Sequence, residues 1–108
     1  PATGVNNIMT KIKVKNFNSV NGNAIANQFL ITYNFVGDLD YSFSEEIFQS
    51  YDSIIAKRYP TTGAIVLDEF YWDYSKTTGR YRNMFLGETK KETEKKIKSG
   101  EYSLGNLN

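Results

Sequence analysis

The chain has 108 residues, 40% apolar, 15% aromatic and 23% charged, with a net charge of +1. That length holds one modest core, and the balance is that of a folded globule rather than a disordered chain. The lack of any Cys or His excludes thiol nucleophiles, disulfides, zinc thiolate sites and imidazole acid–base chemistry. No run reaches the roughly eighteen apolar residues of a helical membrane span.

The first residues, PATGVNNIMTK, lack the charged-then-apolar layout of a signal peptide. Residues 1–8 read as a disordered or added tail ahead of Met9, and residues 9–108 as one domain. With no Cys and no leader, the cytoplasm is the expected compartment. Residues 10–17, TKIKVKNF, alternate Ile12 and Val14 against Lys11, Lys13 and Lys15; period two predicts a strand with one buried and one basic face. Asn21-Gly22 is a turn signal. Residues 28–36, QFLITYNFV, are rich in β-branched and aromatic residues and predict a more central strand. Residues 37–40, GDLD, form a loop.

Residues 45–59 fit helix and strand patterns about equally poorly. A helix would start from a Ser44 cap with Glu45 and Glu46 in its first turn; we read instead two short strands, 45–51 and 53–59, kinked near Asp52. Pro60 ends that segment, and IVLDEFY (65–71) is a final strand. Tyr74, Thr78, Tyr81 and Phe85 then recur at helical spacing, capped by Ser75 or Thr77 and ended at Gly87. Thr89 and Glu92 form a capping box that starts a second helix at residue 90, running to Ser99 with Ile97 as its one large apolar residue. The predicted architecture is α+β: an antiparallel β-meander of four or five strands followed by two short C-terminal helices.

Charge is unevenly spread. Residues 76–98 hold eight basic and three acidic side chains, +5, against −4 for the rest. Such asymmetry hints at an anionic partner, although a lysine-rich helix face is also what a merely solvated face looks like. Arg80 and Arg82 lie two apart, about 200° around a helix, and cannot share one contact face. Lys91, Lys95 and Lys98 recur at four and three residues and make a single stripe. The candidate partner-binding residues are therefore Arg80, Arg82, Lys91, Lys95 and Lys98, with the acidic loop 37–46 as the competing surface. Trp72, Tyr81 and Phe85 are expected in the core. Catalytic material is confined to carboxylates: Asp68, Glu69 and Asp73, with Asp38 and Asp40, are oxygen ligands of the kind Mg²⁺ accepts, but Asp68 and Glu69 point to opposite faces if both lie on a strand, and no nucleophile–base–orienter set can be named. No cofactor is expected.

The runs FQSYDSIIAKR, YWDYSKTTGRYRNMFLGETKKETEKKIKSGEY and LGNLN resemble a family of small proteins from phages, plasmids and other mobile elements of Gram-positive bacteria. The resemblance covers roughly residues 10–108, and related segments are similar to parts of proteins linked to anti-CRISPR function. It implies a non-catalytic binding protein, an inhibitor of a host defence nuclease that occupies a protein surface, with a type II CRISPR effector as the obvious target. A DNA-binding accessory factor for replication or transfer is the alternative, and a metal-dependent enzyme using Asp68 and Asp73 the second.

Overall fold

The computed structural model describes residues 9–37 and 42–108. Residues 1–8 and 38–41, and with them the expected N-terminal tail, Asp38, Asp40 and most of the predicted 37–40 loop, lie outside the described residues. Six strands and two helices follow one another in the order β1 (Met9–Asn18), β2 (Ala24–Val36), β3 (Ser42–Ser50), β4 (Ser53–Tyr59), β5 (Ala64–Asp68), α1 (Lys76–Leu86), α2 (Lys90–Ser99) and β6 (Ser103–Gly105). The strands lie side by side in sequence order in one sheet; β1 to β5 are antiparallel, and β6 joins β5 in parallel. The fold is thus α+β with a mostly antiparallel sheet and two C-terminal helices, but with six strands rather than four or five.

The ambiguous segment 45–59 is a hairpin, β3 and β4. Its turn is tight because Tyr51 takes a left-handed conformation (φ 53°) and its N–H donates to the Asn27 carbonyl at 2.7 Å. The strand expected from residue 28 begins at Ala24, and Asn27, also left-handed (φ 63°), interrupts its regular alternation. The strand expected over 65–71 stops at Asp68, because the Asp68 carboxylate turns the chain by accepting the N–H groups of Phe70 (3.0 Å) and Tyr71 (2.9 Å). β6 escapes the sequence: three residues carry no readable alternation.

Register fixes the two faces. Lys15, Leu30, Phe48, Ala56 and Leu67 lie in one row across β1–β5, and the helices cover this side. Phe48 meets Phe17 edge-on at 5.4 Å and Phe85 at 6.1 Å, and Tyr81 meets Phe17 at 5.7 Å. Phe48, Ile55, Ala56, Leu67, Tyr81, Phe85 and Tyr102 form the buried core, with Trp72 and Ile97 packed against it. Tyr81, Phe85 and Trp72 thus sit where the sequence places them. The faces of β1 do not. Its lysines share the helix side, whereas Ile12 and Val14, expected to be buried, are 61% and 60% exposed on the other. Among the described residues no helix is long and apolar enough to cross a membrane.

Candidate functional site

Both helices begin where side-chain caps dictate. The Ser75 hydroxyl accepts the Thr78 N–H at 3.1 Å. At Thr89 the box is reciprocal: its hydroxyl accepts the Glu92 N–H (3.2 Å) and Glu92 accepts the Thr89 N–H (3.0 Å). Gly87 and Gly100, both left-handed, end the helices. These caps set which cations face out.

Arg82 does not. Its side chain is 1% exposed, Nη1 donates to the Trp72 carbonyl (2.7 Å) and to Asp73 Oδ1 (3.2 Å), and Nη2 donates to Asn83 (3.0 Å). The guanidinium lies over the Trp72 ring at 5.2 Å. Arg82 is therefore withdrawn from the candidate partner-binding set: it is a strut between α1 and the turn before it, one helical turn from buried Thr78 on the inward stripe. Arg80 is exposed, without an ion pair among the described residues.

The lysines of α2 divide in two. Lys90 pairs with Asp73 at 2.7 Å. Lys96 pairs with Glu88 at 2.8 Å and lies 3.9 Å from Glu101. Lys91, Lys95 and Lys98 are exposed, have no ion pair among the described residues, and with Glu94 line one shallow depression. A second, open groove of about 670 Å³ runs where the two helices start, lined by Lys76, Arg80, Arg82 and Lys90 with Asp73 as its acid. Lys76 stands one turn before Arg80, a neighbour that sequence spacing alone offers as readily as Lys90. The competing loop 37–46 lies partly outside the described residues; its remainder from Ser42 belongs to β3, where Glu45 and Glu46 face Lys57 (3.9 Å) and Arg58 (2.7 Å).

Of the candidate carboxylates, Asp68 and Asp73 are engaged by the fold, whereas the Glu69 side chain is exposed. Asp68 is fully buried; beyond the two turn amides it accepts the Leu107 N–H at 2.8 Å. Burial opposes its ionisation, but the donors outweigh burial and hold its carboxyl below the usual range. For Asp73, burial is likewise outweighed by the hydrogen bonds and charges of Lys90 and Arg82. Glu88 Oε1 accepts from Tyr102 (2.7 Å) and Lys96 (2.8 Å), and Oε2 from Thr93 (2.6 Å); burial again opposes charging, and these partners keep the acid strong. The hydrogen bond to Glu88 raises Lys96 above the usual lysine range. Among the described residues no group of three or more His, Cys, Asp or Glu is arranged to hold a metal ion.

Fold and surface together define a small α+β protein that shows a cationic helical face. Residues 7–101 match the model of a family of unknown function (DUF8033), and the chain belongs to that family. No curated protein matches the chain, and no solved structure does.

Proposed function

We propose that the protein is a non-catalytic binding module of a mobile genetic element that sets the outer face of its helices against an anionic surface of a host protein in the bacterial cytoplasm. In its most concrete form it inhibits a host defence nuclease, in the manner of an anti-CRISPR protein. The observation that supports this reading is the division of the lysines: Lys90 and Lys96 are paired with acids of the fold, while Lys91, Lys95 and Lys98 are left to solvent. Like charges one helical turn apart cost a few tenths of a kcal/mol, and such a cluster concentrates an oppositely charged partner. The sign of the charge narrows the footprint. A nuclease's nucleic-acid channel is itself cationic, so this face suits an acidic patch outside that channel.

Direct phosphate binding, as in a DNA-binding accessory protein, is the second reading, favoured by the groove lined by Lys76, Arg80 and Lys90. One variant and one salt titration separate the two readings. Lys91, Lys95 and Lys98 reversed together to Glu should leave the melting temperature nearly unchanged. Binding to a purified type II CRISPR effector, measured by calorimetry, should weaken at least tenfold, about 1.4 kcal/mol. Undiminished binding would mean that the stripe is only solvated. DNA affinity of the parent that collapses between roughly 50 and 200 mM salt, with no effector binding, would favour the second reading.

A further inference from the structure

The sheet has two faces and the helices cover one. On the other, Val14, Ile31 and Ile47 lie side by side across β1, β2 and β3, and the next row brings Ile12 beside Tyr33. The half-buried apolar residues that pack on the core include Phe17, Leu30 and Ile65, all from the helix side. The molecule measures 51 × 36 × 21 Å, and the short dimension equals about two layers of some 10 Å each, one sheet and one helical layer. An apolar sheet face normally finds a second layer, and contiguous exposed apolar surface marks an interaction site.

We infer that this face, which no helix covers among the described residues, is where a second copy of the chain docks, sheet against sheet, around a two-fold axis. Charge identifies the occupant. Among the described residues the charged pair on this face is Glu45 and Lys57, which face each other at 3.9 Å, so this face is close to neutral and offers little to phosphates or to an acidic patch. A two-fold operator sets identical surfaces together, so apolar rows meet apolar rows and Glu45 of each copy can reach Lys57 of the other. Edge-to-edge pairing is disfavoured instead, because edge strand β1 carries exposed Lys11, Lys13 and Lys15, the usual guard against strand addition. Four strands about 4.8 Å apart and about eight residues long give a flat footprint of roughly 500 Å². Side-chain relief raises the accessible area toward the roughly 800 Å² per partner of a standard interface. The expected product is a face-packed sandwich in concentration-dependent exchange with monomer, and it does not depend on the helical cations.

Sedimentation equilibrium of the full chain, from low micromolar to several hundred micromolar, tests it. A monomer–dimer equilibrium is expected. The double variant Ile12→Lys/Val14→Lys, at two positions already exposed, should keep its circular dichroism spectrum and melting temperature while the dimer dissociation constant rises at least tenfold. Reversing Lys91, Lys95 and Lys98 to Glu should leave dimerisation intact. A monomer at every concentration overturns the inference, as does a dimer that the double variant does not weaken. A protein that stays monomeric but co-sediments with phosphatidylcholine vesicles assigns the face to a lipid surface and overturns it equally.

Discussion

Arg80 and Arg82 show how little chemical identity says about a role. Spacing alone separates them onto different sides of α1, and the Thr78, Tyr81, Phe85 stripe shows which side is inward. Arg82, four residues after Thr78, falls on that stripe. What stays illegible is its anchor, since the Trp72 carbonyl and ring and the Asp73 carboxylate come together only through the turn that Asp68 makes. Gln28 was hidden in the same way: it begins a strand like any polar flank, yet it is fully buried and faces Ser50 across the sheet. The two arginines should therefore separate in a stability measurement. Arg82→Ala removes a packed stem and leaves a backbone carbonyl and part of a carboxylate without their donor, and should cost about 3 kcal/mol. Arg80→Ala should stay within about 0.5 kcal/mol. Chemical denaturation of both variants checks this, and equal midpoints would contradict the buried role of Arg82.

At the scale of elements, α2 is the surprise. Its sequence offers Ile97 alone as an apolar anchor, and the capping box correctly predicts where it starts but not what holds it. The structure answers with Glu88, 5% exposed, which ties the residue before the helix cap to Thr93 and Lys96 on the helix and to Tyr102 beyond it. A Glu followed by a Thr cap reads as ordinary first-turn chemistry; its three partners belong to the tertiary fold. Because the folded state holds Glu88 below its unfolded value of about 4.5, the carboxylate adds stability above that pH, and the contribution is lost as pH falls through the folded value. Tyr102 acts at the other end: burial, then its hydrogen bond to Glu88 and the charge there, push its hydroxyl up to about 12. Stability should decline as pH rises from about 10 toward 12. Glu88→Gln should lower stability near pH 7 by about 2 kcal/mol, since hydrogen bonds to a charged group are lost. Its difference from the parent should begin to shrink as pH falls below about 4.5 and should vanish only once Glu88 is protonated in the folded state as well. Thermal melts of the two proteins across pH 3–8 check it; a constant difference would mean that the charge of Glu88 contributes nothing.

For the whole molecule, the meander was legible because each of the first five strands pairs with its sequence neighbour and two of the turns carry Asn21-Gly22 and Pro60 with Gly63, whereas the β3–β4 turn is only Tyr51-Asp52. The side toward which β1 turns was not. Alternation assigns Ile12 and Val14 to one face without saying which face the helices will choose, and they settle over Leu30, Phe48 and Leu67, the side that the β1 lysines share. β6 was lost because its partner β5 lies far away in sequence. Unevenness should follow: opening free energies differ across a fold wherever contacts are sparse. Amide hydrogen exchange should show β3 and β4, at the centre, slowest, and β6 exchanging earlier; uniform protection across the sheet would contradict this.

The parallel joint of β6 to β5 also sets an order of events in time. The first four pairings each close a short loop, at little entropic cost, so they can form as soon as their residues are available. β6 closes only after residues 69–102 have been laid across the sheet. A chain synthesised from its N-terminus would therefore present a nearly complete sheet before Phe85 and Tyr102 exist to cover Phe48 and Leu67. During that interval both faces of the sheet are apolar and bare, and the lysines along β1 are the main deterrent to aggregation of the nascent chain.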